Sequence, residues 1–376
     1  MARRAGRKGR ARTGDRRLML ARGATIGLLG GGQLGRMLAE AAARLGFHVI
    51  VLDPNADCPA ARFCDRHIVA GYDDSAALDE LAERCDVATF EFENIDLGAL
   101  EYLSGRIPVH PDAWALRVTQ DRLTEKTFLR ETGIDTAPFR AVDGARQLEM
   151  ALADIDGGGA ILKTRRFGYD GKGQIRFGHG ADDPAPEEAM ARIGGAPSIL
   201  EGFVDFACEI SVVVTRGRDG TVHEFEPARN DHEGGILARS TVPCGLDSII
   251  MADAMEKTRA LATRLRYVGT LALEFFVMDD GTLIANEIAP RVHNSGHWTE
   301  AACSVSQFEQ HIRAIAGWPL AESYRHSDCV MTNLIGDAID DLPQWARDGA
   351  VRVNDYGKAE TRAGRKMGHV VRLVPR

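Results

Sequence analysis

The sequence predicts an α/β protein of two or three units, and three observations carry that prediction. Apolar and amphipathic stretches alternate around glycines at the start of the chain. An Asp-Gly pair, Asp280 and Gly281, separates two apolar runs, and from about residue 317 short strand-like runs and basic loops take over. The 376 residues suffice for that many separate cores.

Residues 24–29 are a short apolar run ending in glycines and read as a buried strand. Residues 33–45 place Leu34, Met37, Leu38, Ala41 and Leu45 at helical spacing, and 47–52 reads as a second strand. A strand-helix-strand start implies a parallel sheet with a right-handed crossover. Strand-like 67–69 and 87–92, with a helical 75–84 between them, continue the alternation, which places the first unit at 24–118. The second unit, 119–314, opens on a helix at 120–132. It carries strands at 160–163, 198–201 and 209–214 and helices at 248–265 and 304–315. A small β-rich unit fills 315–376.

Residues 1–23 stand apart. Residues 1–17 are crowded with Arg and Gly and cannot bury a core, so a disordered basic extension is expected. The apolar run 18–21 is too short for a secretory signal. No apolar run approaches the roughly 18 residues that span a bilayer. The formal net charge of −8 argues against a general nucleic-acid binder, although a local basic pocket can still hold phosphates. Seven cysteines, an odd number with no Cys-x-x-Cys pair, predict reduced thiols in a cytoplasmic protein without zinc or disulfides.

The Asp-Gly pair is a strong hairpin signal. With Asp280 and Gly281 as a two-residue loop, Asp279 pairs with Thr282, Val277 with Ile284, Phe275 with Asn286, and Glu274 with Glu287. Two carboxylates directly opposite, with Cβ atoms roughly 5 Å apart, destabilise a sheet. Their apolar neighbours Leu273, Phe275 and Ile288 predict a mostly buried setting, where the cost is larger. A Mg²⁺ ion would offset it, since that ion favours one or two carboxylates plus phosphate oxygens. A shared proton or a nearby Lys or Arg would also do so. Asn286 is a further candidate ligand, but alternation points it to the opposite face.

Lys163 ends a strand and is followed by Gly168, Tyr169, Asp170, Gly171, Lys172, Gly173 and Gln174. Glycines let backbone N–H groups close around phosphate oxygens, and a lysine supplies a point charge. No Walker A pattern is present, and a plain hairpin turn is the blander reading.

Six motifs occur in order: Gly30–Arg36, Phe90–Ile95, Asp121–Lys126, Gly168–Gly173, Asn286–Thr299 and Gly364–His369. Together they resemble the N5-carboxyaminoimidazole ribonucleotide synthetases of the ATP-grasp superfamily, from about residue 24 to the end. The Ala-Pro-Arg-Val-His-Asn-Ser-Gly-His-Trp-Thr stretch ending at Thr299 is the most specific. The resemblance implies a Rossmann-like preATP-grasp domain, a central ATP-grasp domain and a small β-rich C-terminal domain. It implies ATP and Mg²⁺ as cofactors, bicarbonate and aminoimidazole ribonucleotide as substrates, and a homodimer.

Carried over by position, the resemblance gives the nucleotide Arg122, Lys163, the 168–174 loop, Glu201, Gly202, Phe203, Val204, Glu209, His232, Asn286 and Glu287. Glu274 and Glu287 match the metal pair. Gln33, Leu34, Glu91 or Glu93, Tyr169, His293, Asn294, Lys358 and Arg365 match the ribotide site, and Asp170, Arg291 and Lys358 are the catalytic candidates. Gly202 and Phe203 stand where a relative can carry Gln and Gly, which leaves side-chain contacts there open.

Three other readings share features of this chain. Gly30, Gly32 and Gly35 with Asp53 about 20 residues on form a dinucleotide fingerprint, which would suit an NAD-dependent dehydrogenase. Other ATP-grasp ligases, of the glycinamide ribonucleotide transformylase or biotin carboxylase type, share the catalytic logic. A non-catalytic nucleotide sensor would keep the fold alone.

Overall fold

The structure is a computed structural model that describes residues 19–155, 158–168, 173–178 and 183–375. Residues 1–18 of the basic extension lie outside them. Residues 19–23, grouped with that extension above, include an anchored segment: Leu20 N–H donates to Ala316 O at 2.8 Å, and the Trp318 indole donates to Leu20 O at 2.9 Å. Leu20 also packs on the first core.

Four parallel strands, β1 (Thr25–Leu29), β2 (His48–Leu52), β3 (Arg66–Ile68) and β4 (Val87–Phe90), form the first sheet in the order β3-β2-β1-β4. Their near-continuous burial is what a parallel sheet covered on both faces requires. Helices α1 (Gln33–Arg44) and α2 (Ser75–Arg84) are the crossovers. Gly35 lets α1 start close to the preceding turn, where a Cβ would stand 2.6 Å from Gly30 O. Gly35→Ala is therefore expected to cost about 1–3 kcal/mol of stability, read as a lower urea midpoint. Helices α3 (Leu97–Ser104), α4 (Ala113–Thr119) and α5 (Arg122–Glu131) follow, capped by Asp96, Asp112 and Asp121.

A second, antiparallel sheet runs β5-β8-β6-β7, from β5 (Phe139–Val142), β6 (Ala160–Thr164), β7 (Gln174–Phe177) and β8 (Ser198–Gly202). Helices α6 (Ala145–Asp154) and α7 (Pro186–Arg192) share its apolar core.

The third sheet has nine strands: β9 (Cys208–Arg216), β10 (Val222–Glu224), β11 (Ala228–Glu233), β12 (Ile236–Val242), β13 (Gly269–Val277), β14 (Leu283–Ala289), β15 (Ser327–Ile335), β16 (Val351–Asp355) and β17 (Lys366–Pro375). Its order is β14-β13-β9-β11-β12-β15-β17-β16, with β10 beside β9. The C-terminal strands thus join the central sheet edge to edge through β12 and β15, rather than forming a sheet of their own. Helix α8 (Ser248–Arg264) packs on β9 and β13. After the short α9 (Thr299–Ala302), α10 (Gln307–Ala316) fills the space between the first and third sheets. There His311 Nε2 lies 2.8 Å from Thr89 Oγ1 and Nδ1 accepts from Thr270 N–H at 3.1 Å.

The hairpin register corrects the expected pairing near the turn. Met278 N–H donates to Thr282 O, and Gly281 N–H returns to Met278 O, both at 2.9 Å. The loop is therefore Asp279, Asp280 and Gly281, closed by Gly281 at φ +85°, a three-residue form that needs a left-handed residue. Phe275 pairs with Ala285 and Val277 with Leu283, one residue off the two-residue register. A β-bulge at Asn286 then shifts the register back, so Glu274 still pairs with Glu287. Bulges re-aim side chains, so simple alternation does not govern Asn286.

Candidate active site

Lys163 stands near the end of β6, and Glu201 on neighbouring β8 accepts from its Nζ at 3.1 Å. The same oxygen, Oε2, lies 3.2 Å from Lys126 Nζ. All three side chains are buried, with only 12% of Lys163, 4% of Glu201 and 2% of Lys126 exposed. Burial alone would raise the Glu201 carboxyl, but Lys126 and Lys163 overcome it and hold the group down at about 2. Glu201, expected beside the adenine, thus lies under two ammonium groups. Its Oε1 has no hydrogen-bond partner among the described residues. From Gly202 and Phe203 the N–H groups donate to Pro138 O at 2.8 Å and Gly159 O at 2.9 Å. Phe203 is exposed and Val204 half-buried.

Arg122 opens α5 and ties the site together. Its Nη1 donates to Thr164 O and its Nη2 to Gly168 O, both at 3.1 Å, and Nη2 stands 4.0 Å from Glu287 Oε2. Gly173 O accepts Thr164 N–H at 3.0 Å, and Gln174 pairs with Lys163 where β7 begins. Tyr169, Asp170, Gly171 and Lys172 lie outside the described residues. Lys126 escaped the sequence reading, although it sits one helical turn beyond Arg122 in the quoted Asp121–Lys126 motif. Buried Glu125, which accepts Ile288 N–H at 2.5 Å, was also missed. Its carboxyl is pushed up to about 8, first by burial and then by Glu287.

On the hairpin, Glu274 is the buried member of the pair. Its side chain is 12% exposed, and burial followed by the charge of Glu287 pushes its carboxyl up to about 8. Glu287 is 48% exposed, so the expected buried setting holds for one carboxylate only. Each has a partner of its own, His293 Nε2 at 3.1 Å from Glu274 and Arg122 for Glu287. Glu209 and His232 adjoin Glu274. His232 Nδ1 is 3.0 Å from Glu209 Oε2, and one ligand atom from each of the three residues falls within 4.8 Å of the others. This donor set, oxygen-rich with a carboxyl whose charged form is disfavoured by burial and a like charge, is what a hard cation would relieve.

The face toward the first sheet is more self-contained than expected. Glu91 accepts Gly32 N–H and, at 2.7 Å, Gly35 N–H, so its two oxygens cap α1. Burial raises the Glu91 carboxyl and these two N–H groups oppose that rise. Glu91, one of the two carboxylates expected at the ribotide, thus also braces the turn that opens α1. The same carboxylate fills the helix N-terminus where a dinucleotide pyrophosphate would bind. Asp53, the other half of that fingerprint, accepts from Gly31 N–H at 2.7 Å and the Tyr72 hydroxyl at 2.8 Å. Leu34 is buried in the first core, which leaves only its backbone for a ligand, whereas Gln33 is half-exposed.

Glu93 and Arg291 form a two-pronged ion pair, with Nη2 at 3.2 Å from Oε1 and Nε bonded to Oε2. Burial works against both charges, and each partner overcomes it for the other. Asn294 exchanges hydrogen bonds with Asn333 on β15, at 3.0 and 2.6 Å. Lys358 donates to Lys366 O at 2.6 Å, and burial, then Arg365, pull its ammonium down to about 8. Arg365 is half-buried and donates to Glu360 O at 2.9 Å.

A strand-end lysine linked through Arg122 and Lys126 to a carboxylate hairpin, between two antiparallel sheets, defines an ATP-grasp fold. The ATP-grasp domain model matches residues 127–308. The ribonucleotide synthetase preATP-grasp model matches 23–120, and the phosphoribosylaminoimidazole carboxylase C-terminal model matches 329–375. The N5-carboxyaminoimidazole ribonucleotide synthase of Brucella melitensis is 55% identical over 94% of this chain and 97% of its own length. That of Bacillus subtilis is 40% identical over 93% and 91%. Among solved structures, the Staphylococcus aureus synthetase complexed with ADP has a TM-score of 0.89 at 37% identity, covering 95% of this chain and 94% of its own. The Aspergillus clavatus synthase in complex with ADP and 5-aminoimidazole ribonucleotide has a TM-score of 0.84 at 29% identity, covering 94% of each chain. The chain belongs to the N5-carboxyaminoimidazole ribonucleotide synthase family.

Proposed function

We propose that this chain carboxylates the exocyclic amine of 5-aminoimidazole ribonucleotide, using ATP and bicarbonate and releasing ADP and phosphate, in purine synthesis. The observation that carries this reading is Arg122, which joins the end of the Lys163 strand, the glycine loop and the Glu287 carboxylate in one place. Arg122 and Lys163 balance the charge that builds on the γ-phosphate as bicarbonate attacks it. Glu274 and Glu287 would hold Mg²⁺, which supplies further charge neutralisation at the phosphates. The segment 168–174 shields the labile carboxyphosphate from water. Glu209 and His232 serve the nucleotide side, and His293 and Asn294 the ribotide side. Arg291, held by Glu93, is the catalytic candidate for contact with bicarbonate.

Asp170 orients or deprotonates the attacking amine. Asp170→Asn is expected to spare bicarbonate-dependent ATP cleavage while the carboxylated product falls, as separate assays of ADP and product would read. Equal loss of both would leave Asp170 a loop-shaping residue.

Lys358 and Arg365 receive the ribotide 5′-phosphate. The Lys358 ammonium is charged below about 8 and neutral above it. Accordingly kcat/KM for the ribotide is expected to fall with rising pH through that value, by up to about tenfold per unit. Lys358→Arg should remove that limb, and a limb that survives the replacement would rule Lys358 out as its source.

The unit boundaries near 118 and 314, a homodimer and a cytoplasmic location belong to the same reading. No helix among the described residues is long and apolar enough to cross a membrane.

A further inference from the structure

A buried run of hydrogen bonds ends on His293. The Ser295 backbone N–H points at His293 Nδ1, 3.4 Å away. An N–H only donates, so Nδ1 accepts and the ring proton of the neutral imidazole sits on Nε2. That nitrogen lies 3.1 Å from Glu274 Oε1. The direction of each further bond follows. Ser295 Oγ, 2.8 Å from a proton-free Nδ1, donates to it. It then accepts the Ser211 hydroxyl at 2.6 Å. Ser211 accepts from Asn230 Nδ2 at 2.9 Å, and Asn230 Oδ1 accepts from Ser240 at 2.8 Å. Ser211, Asn230, Ser240 and Ser295 are all buried, where a misdirected donor leaves a polar group unpaired. The His293 backbone is clamped as well. Its N–H donates to Gln307 Oε1 at 2.8 Å, and Gln307 Nε2 donates to His293 O at 2.7 Å. Gly296 makes room for that amide, since a Cβ there would stand 2.7 Å from Gln307 Oε1.

We propose that Ser240, Asn230, Ser211 and Ser295 form a one-way hydrogen-bond chain that sets the His293 tautomer, so that Nε2–H is presented to Glu274 and orients its carboxylate. With Gln307, which fixes the backbone, these are positioning residues. The functional consequence rests on the reading of Glu274 as a metal-holding carboxylate; the tautomer does not. Groups that orient a metal ligand from behind change metal affinity about 10- to 100-fold when replaced.

The test is a long-range proton–nitrogen correlation spectrum of the metal-free full chain labelled with ¹⁵N-histidine. The His293 signals are assigned by their loss in His293→Gln. The wild type is expected to show the Nε2–H form. Asn230→Asp keeps the shape but can only accept, so Ser211 turns its hydroxyl toward position 230 and Ser295 Oγ loses its donor. The Ser295 N–H still favours the Nε2–H form, so a rise in the Nδ1–H fraction over wild type, rather than a complete switch, is expected. A wild-type ring in the Nδ1–H form, or an Asn230→Asp ring with the wild-type tautomer ratio, overturns the proposal. Should Asn230→Asp fail to fold, Ser295→Ala is read by Mn²⁺ binding in the presence of ADP. A loss on the order of tenfold is expected, and wild-type affinity overturns the proposal. The spectrum needs neither nucleotide nor ribotide, so its outcome stands apart from that of the carboxylation reading, whose failure would appear as ADP release indifferent to the ribotide.

Discussion

Replacing Glu287 by Gln is expected to lower ATP turnover by roughly a thousandfold or more, the scale of losing a charge-stabilising group at a phosphoryl-transfer centre. Glu287 stands opposite Glu274 on the hairpin and next to Arg122. The replacement keeps the shape and removes the charge on which the proposed Mg²⁺ site depends. It also relieves the like-charge repulsion that helps to raise Glu274. Stability should therefore hold or rise while turnover collapses. Thermal unfolding measured beside ADP release separates these two effects, and wild-type turnover at ordinary Mg²⁺ would remove Glu287 from the metal site.

The second large effect falls on stability. Glu201→Gln would leave the ammonium groups of Lys126 and Lys163 buried without their shared counter-charge. Breaking a buried pair by removing one partner costs about 3–5 kcal/mol, and here one carboxylate serves two cations. A marked fall in the urea midpoint is expected, and an unchanged midpoint would show that water or a rearrangement compensates the lysines. The wild type should carry the matching pH signature. Glu201 is depressed in the fold to about 2 from 4.5. Its contribution, about 3 kcal/mol by linkage, is fully present above the unfolded value and is lost as pH falls from 4.5 through about 2.

Much of this architecture was legible because it is written locally. The parallel start follows from apolar runs around Gly30, and the hairpin from Asp280 and Gly281. The pairing of Glu274 with Glu287 was reached from a wrong loop length. The three-residue loop and the bulge at Asn286 shift the register in opposite senses and cancel at that pair. A bulge carries no composition signal of its own, so counting from the turn could not reveal it. Helices α3 and α4 were missed although Asp96 and Asp112 cap them; their short apolar stretches gave too little periodicity.

Partnerships between distant segments were illegible for a different reason. Glu201 lies 75 residues beyond Lys126 in the chain but shares an oxygen with it across two elements. Nothing in the motif around Lys126 distinguishes a buried lysine from one that reaches to solvent. Glu91 likewise sits in a motif that suggested ligand contact, while its oxygens are held by the turn that opens α1. Sequence could place these carboxylates near the site. Only packing shows that some of them brace it.

The central claim is tested most directly by ADP release with Mg²⁺, ATP and bicarbonate, with and without 5-aminoimidazole ribonucleotide. Strong stimulation by the ribotide that disappears when bicarbonate is withheld is the predicted result. Turnover indifferent to the ribotide but raised by formate with glycinamide ribonucleotide, or by biotin, would contradict it.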